Sequence, residues 1–147
     1  MSKIYTIGFT KKTAEDFFTL LENNHVCKLI DVRLNNTSQL AAFSKFPDIE
    51  FFSRRICNIE YVHDTTFAPS EEILSDYKKK IIDWAEYEIR FANLMSERNI
   101  DEYIIEHYSD SNNYCFMCSE PTPEKCHRRL VAENFSRVLS KIEIIHL

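Results

Sequence analysis

Glycine is nearly absent from this chain, which makes its one occurrence informative. Only one of the 147 residues is glycine, where average usage near 7% would give about ten. A chain that keeps a single glycine at Gly8 is expected to need it there, either for a positive φ or for the close approach of another backbone segment.

Long apolar runs and a secretion signal are also missing. No stretch approaches the roughly 18 consecutive apolar residues that a membrane span needs, and residues 1–5 lack the apolar segment of a signal peptide. The five cysteines are an odd number, which favours free thiols over a disulfide framework in a chain without an export signal. We therefore expect a cytoplasmic protein with no membrane partner.

An excess of positive charge is absent as well. The net charge of −5 argues against a surface built for duplex nucleic acid, although a local cationic cleft is compatible with it. Hydrophobic residues make up 44% of the chain and charged residues 28%, a balance typical of globular proteins. The length predicts a single domain over residues 1–147. The oligomeric state is not determined by the sequence.

Short apolar segments alternate with segments of helical periodicity along the chain. Runs rich in branched and aromatic residues predict five strands, at residues 3–7, 27–33, 59–63, 114–118 and 142–146. Helical spacing predicts helices after Thr13, over residues 47–57, and from Ser70 through Met95. For the last helix, Thr122 is predicted as the N-cap and Pro123 as the first helical residue.

This alternation predicts an α/β fold with three layers. We expect a mostly parallel five-stranded sheet with helices on both faces, in the strand order 3-2-1-4-5. That order puts a switch point between the first and fourth strands, and ligands of such sheets bind beyond the carboxyl ends of the strands at that point. The segments predicted to meet there are residues 8–10, 31–33 and 118–128.

The segment that follows the fourth strand carries the most chemistry. Cys126, His127 and Arg128 are predicted in the first turn of the last helix, where unpaired N–H groups attract anions and lower the pKa of a thiol. Pro121 forces Glu120 into an extended conformation, which would hold its carboxylate at the sheet edge. In the alternative interpretation the cysteines are small buried residues, Glu120 caps the helix and Arg128 is solvated.

The same segment contains a possible zinc site. Cys118, Cys126, His127 and Glu120 offer the donor types that zinc prefers. Cys115 is a poorer ligand, because residues three apart in one strand point to opposite faces of the sheet. We predict no cofactor and keep zinc as an alternative.

Asp31 and Arg33 end a buried strand and share one face of it. In the functional interpretation Arg33 binds an anionic group while Asp31 orients it or acts as a base. In the structural interpretation the two residues form a salt bridge, since buried charges are costly unless they are paired. The polar run that follows, residues 34–39, is predicted to cover the site with Ser38 among its binding residues.

Several motifs together resemble a known family. They are CSEPTPEKCHRRL over residues 118–130, IYTIG ending at Gly8, LIDVR ending at Arg33, YVH ending at His63, and the terminal IIHL. This combination resembles the domain of unknown function 488 family. The resemblance implies a compact α/β domain whose signature residues gather on one side, and it supplies no reaction. Asn36, Ser38 and Gln39 stand where many members have a proline and an arginine.

The sequence thus predicts a small enzyme that acts on an anionic or nucleotide-like substrate. The alternatives are a non-catalytic module that binds a nucleotide, a nucleic-acid end or a protein partner, and a zinc-binding domain. The candidate catalytic residues are Asp31, Cys118, Glu120, Cys126 and His127. The candidate binding residues are Gly8, Thr10, Arg33, Ser38 and Arg128.

Overall fold

Five strands and six α-helices follow one another in a computed structural model that describes residues 1–37 and 41–147. The strands are β1 (Ser2–Gly8), β2 (Lys28–Asp31), β3 (Glu60–His63), β4 (Tyr114–Cys118) and β5 (Ile142–His146). The helices are α1 (Ala14–Asn23), α2 (Asp48–Cys57), α3 (Glu71–Lys78), α4 (Trp84–Glu97), α5 (Ile100–Tyr108) and α6 (His127–Val138). All five predicted strands are therefore present, with small differences at their ends.

The five strands form one parallel sheet in the order β3-β2-β4-β1-β5. The predicted order 3-2-1-4-5 is wrong, because β4 lies between β2 and β1 rather than outside β1. The prediction assumed that the first three strands pair in sequence, whereas the connection through α1 passes over the position that β4 occupies. β1 and β4 remain neighbours, and Gly8 stands opposite Cys118 in their register.

Helices cover both faces of the sheet and create two separate apolar cores. On one face α1 and α2 pack Phe17, Leu21 and Ile49 against the sheet. On the other face α3 to α6 surround a larger core that includes Phe91 and Phe135. Alternate residues of β4 serve the two cores, as expected for a strand buried on both sides. The three layers are thus explained by apolar side chains on both faces of the central strands.

The segment between β3 and β4 divides into three helices. Lys80 and Asn99 adopt left-handed backbone conformations with φ values of 61° and 52°, and each interrupts the helical path. Asp83 restarts the helix by accepting a hydrogen bond from the Glu86 N–H. The continuous helical periodicity predicted from Ser70 through Met95 therefore corresponds to α3 and α4, and α5 was not predicted.

The last helix begins later than predicted. Cys126 occupies the N-cap position of α6 and His127 is its first residue, so Thr122 and Pro123 lie outside the helix. The Cys126 N–H donates to the Pro123 carbonyl, which closes a turn just before α6. His127 and Arg128 consequently stand at the first two helical positions, four residues nearer to the helix start than the predicted cap at Thr122 would place them. None of the helices in the described part of the chain is long and apolar enough to cross a membrane.

Phe135 tests the larger core. Its ring is fully buried and lies 4.7 Å from the ring of Phe116 and 5.3 Å from that of Phe67, centroid to centroid. We expect Phe135→Ala to lower the free energy of unfolding by about 3–5 kcal/mol, measured by urea denaturation. Ile89→Ala, at a position that is 57% exposed, is the control and should change it by less than about 0.5 kcal/mol. Similar losses in both variants would contradict this description of the core.

Candidate functional site

The carboxyl ends of β1, β2 and β4 meet at the start of α6. The His127 ring donates from Nε2 to the carbonyl of Val32, 2.7 Å away, which joins α6 to the residue that follows β2. The guanidinium of Arg33 lies 5.1 Å above the ring of Phe9, which joins the β1 and β2 ends. The structure thus brings the segments around residues 8–10, 31–33 and 118–128 to one edge of the sheet.

Cys118, Cys126 and His127 form what we call the thiol–imidazole cluster. Their sulfur atoms and a ring nitrogen all lie within 4.8 Å of one another, and Cys118 Sγ is 3.6 Å from His127 Nδ1. Because a carbonyl oxygen only accepts, His127 Nε2 must carry the proton that it shares with Val32, and Nδ1 faces the thiols. All three side chains are buried, with exposures of 5%, 2% and 7%.

The pKa values of the two thiols in this cluster are shifted in opposite directions. The hydrogen bond with Cys126 lowers the pKa of Cys118, and the Ser119 backbone N–H and the charge of Arg128 act in the same direction against the effect of burial. The same hydrogen bond, together with burial, raises the pKa of Cys126 well above its usual range. Because the two sulfur atoms lie within 4.8 Å of each other, the ionisation of one thiol disfavours the ionisation of the other. Cys118 is therefore the thiol of the pair that ionises first.

Arg128 projects from the first turn of α6 towards the end of β1. Its side chain is fully buried, with Nε donating to Thr6 Oγ1 at 3.2 Å and Nη1 donating to the Glu120 carbonyl at 2.5 Å. Neither acceptor is charged. Among the residues that the structure describes, Arg128 has no acidic partner within salt-bridge distance, and its Nη2 has no hydrogen-bond partner.

Gly8 gives the chain the space for this arrangement. A Cβ atom at this position would lie 1.6 Å from the Glu120 carbonyl oxygen and 2.9 Å from Arg128 Nη1. The φ angle of Gly8 is not positive. Of the two reasons that the sequence offered for the glycine, close backbone approach is therefore the one that applies.

We expect Gly8→Ala to be strongly destabilising, because the added methyl group meets backbone that cannot move away without displacing residues 118–121. The melting temperature measured by circular dichroism should fall clearly below that of the parent protein. Thr10→Ala, at a half-buried position two residues further along, is the control and should melt close to the parent. A well-tolerated alanine at position 8 would contradict the close approach.

Asp31 and Arg33 form a buried ion pair. Arg33 Nε and Nη2 donate to the two carboxylate oxygens of Asp31 at 2.9 and 2.7 Å, and Tyr61 donates to Asp31 from its hydroxyl at 2.6 Å. Arg33 Nη2 also donates to the Ser44 carbonyl at 2.6 Å. This geometry is the salt bridge of the structural interpretation. Arg33 Nη1 has no partner among the described residues.

We expect Arg33→Ala to lower the free energy of unfolding by about 3–5 kcal/mol, because it leaves the fully buried Asp31 carboxylate without its counter-charge. Tyr61→Phe removes one hydrogen bond to the same carboxylate and should cost about 1.5–3 kcal/mol. Urea denaturation at neutral pH measures both. Near-parental stability of Arg33→Ala would show instead that the pair contributes little to folding.

The remaining predicted residues contribute in other ways. The Glu120 side chain is exposed, and its contact with the site is the carbonyl that accepts from Arg128. Thr10 is half-buried, and its N–H donates to the Ser119 carbonyl at 3.1 Å. Ser38 lies outside the described residues. The catalytic and binding roles of these residues remain predictions.

Three residues at this edge were missed from the sequence. Thr6 accepts from Arg128, and its hydroxyl also contacts His146 Nδ1 at 2.6 Å. Lys12 donates to the Gly8 carbonyl at 2.8 Å. A threonine among the buried apolar residues of β1 was a signal that could have revealed Thr6, and His146 belongs to the terminal IIHL motif, whereas Lys12 belongs to no motif identified above.

Two cavities lie away from this edge. A groove of about 630 Å³ separates α4, α5 and α6, with Phe91, Met95 and Leu130 among its lining residues. A second concavity of about 400 Å³ lies beside Arg54 and Asn58 at the end of α2. Neither is lined by a predicted site residue.

The fold and this edge define a small parallel α/β domain whose strand ends carry a thiol–imidazole cluster and two buried arginines. The sequence profile of the family described as "Domain of unknown function DUF488" matches residues 13–135, and the chain belongs to this family. The matched range contains Asp31, Arg33 and the cluster, and it leaves out β1 with Gly8. Comparisons with curated proteins and with solved structures found no match.

Proposed function

We propose that this chain is an enzyme that acts on a small anionic substrate, and that Arg128 binds the anionic group. The observation that carries the proposal is the burial of the Arg128 guanidinium beside a hydroxyl and a carbonyl only. A buried charge is costly unless an opposite charge or a full set of hydrogen bonds compensates it. An anionic ligand would supply both for Arg128.

The unpaired Nη2 of Arg128 supports the same conclusion. Buried N–H groups in proteins nearly always have a hydrogen-bond partner, so an unpaired one indicates a missing partner such as a ligand. Arg129, the next residue, also has one unpaired nitrogen, but its other nitrogens pair with Glu88 and Glu133. Arg128 differs because its charge as well as its N–H group lacks a partner among the described residues.

The charge of Arg128 also affects two neighbouring titratable groups, Lys12 and His146. Burial and then the charge of Arg128 lower the pKa of Lys12. Burial and then the charge of Arg128 also lower the pKa of His146. In both cases the charge of Arg128 acts in the same direction as burial. The positive charge of Arg128 is thus felt at the end of β1 within a protein of negative net charge.

Arg33 is the second candidate for contact with the anion. Most of its donors serve Asp31 and Ser44, which leaves Nη1 as the only nitrogen without a partner among the described residues. We assign Arg33 an auxiliary role, since its ion pair already compensates its charge. A nucleotide-like substrate, with more than one anionic or polar group, would suit two arginines better than a single phosphate would.

The thiol–imidazole cluster favours an enzyme over a module that only binds its ligand. Arg128 contacts the carbonyl of Glu120, which is only two residues beyond Cys118 at the same edge of the sheet. An anion bound to Arg128 would therefore lie close to the cluster. A binding module has no need of a thiol of lowered pKa next to an imidazole. We also infer a cytoplasmic location, which is supported by five free cysteines.

Anion binding is tested by replacing the arginine with a lysine. We expect inorganic phosphate, pyrophosphate or AMP to raise the melting temperature of the parent protein, because a ligand that binds only the folded state stabilises it. Arg128→Lys keeps a positive charge but loses the planar guanidinium with its several donors. Its apparent affinity for the same anion should fall at least about 10-fold, in line with the loss of one charge-assisted hydrogen bond of about 1.5–3 kcal/mol.

Arg129→Lys is the matched control, since it changes the adjacent residue of the same helix. It should leave the anion-induced shift unchanged. Equal shifts in Arg128→Lys and the parent protein would refute the role of Arg128. Failure of all three anions to stabilise the parent protein would refute the anionic substrate itself, whatever the folding of the variants.

A further inference from the structure

We propose that Cys118, Cys126 and His127 bind one zinc ion, through the two sulfur atoms and His127 Nδ1. The evidence for this metal site is the geometry of the thiol–imidazole cluster. The further inference that the zinc ion is the cofactor of the enzyme rests on the proposed function.

The separation of the donor atoms fits tetrahedral zinc. In such a site a thiolate sulfur at about 2.3 Å and an imidazole nitrogen at about 2.05 Å from the metal lie about 3.6 Å apart. Cys118 Sγ and His127 Nδ1 are 3.6 Å apart. The third donor, Cys126 Sγ, lies within 4.8 Å of both.

The orientation of the imidazole is that of a metal ligand. Metal-bound histidines usually donate their second ring N–H to a carboxylate or a backbone carbonyl, which fixes the tautomer. His127 Nε2 donates to the Val32 carbonyl at 2.7 Å, so the lone pair of Nδ1 points towards the two sulfur atoms. The ring is also held by Phe91, whose centroid lies 5.8 Å away.

Charge balance favours zinc in this buried position. Binding releases one proton from each of the two thiols, and one Zn²⁺ with two thiolates and a neutral imidazole has no net charge. Such a unit avoids the cost of burying an isolated ion. Cys126 is only 2% exposed, which suits a ligand better than a thiol that must meet a reagent from solution.

Three protein ligands leave one position of the metal open. No fourth cysteine, histidine or carboxylate joins the cluster in the part of the chain that the structure describes, and the Glu120 side chain, predicted as a ligand, is exposed instead. Sites with three protein ligands and a water or substrate atom in the fourth position are characteristic of catalytic zinc. If Arg128 holds the anionic group as proposed above, another atom of the same substrate could bind the metal at this open position.

Cobalt titration of the full chain tests the site. Co²⁺ takes the place of zinc in such sites and gives strong sulfur-to-metal absorption. The metal-free parent protein should bind one equivalent of Co²⁺ with an absorption intensity that corresponds to two thiolate bonds, and one equivalent of Zn²⁺ should displace it. Elemental analysis of protein purified from zinc-supplemented cells should find about one zinc per chain. The absence of stoichiometric metal in both measurements would overturn the proposal.

Cysteine variants locate the metal. Cys126→Ser should weaken Co²⁺ binding at least about 10-fold and halve the charge-transfer intensity that remains. Cys115→Ala is the matched control, because Cys115 is a buried cysteine on the opposite face of β4, and it should bind Co²⁺ as the parent does. Equal binding in both variants would place the metal elsewhere and overturn the assignment. If Cys126→Ser fails to fold, the two-thiolate spectrum of the parent protein still decides.

Two further measurements separate this proposal from the proposed function. Azide, a small anion that binds metals, should change the cobalt spectrum if the fourth position is open, and an unchanged spectrum would overturn the open position. Arg128→Lys should retain one equivalent of Co²⁺ even where it no longer responds to phosphate. A parent protein that binds the metal but no phosphate would contradict the proposed role of Arg128 and leave the zinc site intact. A parent protein that binds phosphate but no metal would contradict the zinc site and leave the role of Arg128 intact.

Discussion

The guanidinium of Arg128 connects the elements that build this edge of the sheet. It reaches from α6 to Thr6 in β1 and to the Glu120 carbonyl beyond β4, and that carbonyl packs against Gly8 with no space for a side chain. A buried cation needs compensation, and uncharged acceptors in the described residues supply only part of it. The contact of residues 118–121 with β1 therefore includes a charge that no acidic side chain in the described part of the chain neutralises.

The two buried arginines show how burial alone does not identify a ligand-binding charge. Arg33 and Arg128 are both nearly inaccessible to solvent. Arg33 makes a bidentate pair with Asp31 and is explained by the stability of the fold. Arg128 has no such carboxylate among the described residues, and this difference is why we propose a ligand for Arg128 and not for Arg33. The difference lies in the partners and not in the exposure of the side chains.

The anion site and the zinc site that we propose occupy adjacent positions for a simple reason. His127 and Arg128 are consecutive in the first turn of α6, and consecutive helical residues point about 100° apart. One side chain therefore turns towards Cys118 and the other towards Thr6 and the end of β1. A substrate whose anionic group contacts Arg128 would be presented to the metal by the same helical turn.

Much of the architecture was readable from the sequence, because local physical requirements determine it. Strands buried on both faces need continuous apolar runs, and polar residues that follow such strands collect at one edge of a parallel sheet. This reasoning located all five strands, and it placed Asp31, Cys118, His127 and Arg128 at one edge of the sheet, where the structure has them. It did not yield the strand order, because pairing depends on which connection passes over which strand. It also placed the start of α6 too early, because Thr122 and Pro123 are good capping residues in isolation.

The sequence by itself determined the fold class and the residue types that meet at the strand ends, since both follow from periodicity and from position along the chain. Only the tertiary structure decided that Gly8 is required by the Glu120 backbone, that Asp31 belongs to Arg33, and that the imidazole of His127 turns Nδ1 towards two thiols. These facts depend on contacts between residues as far apart as Val32 and His127. Such contacts arise when the strands are ordered in the sheet, and no local pattern encodes them.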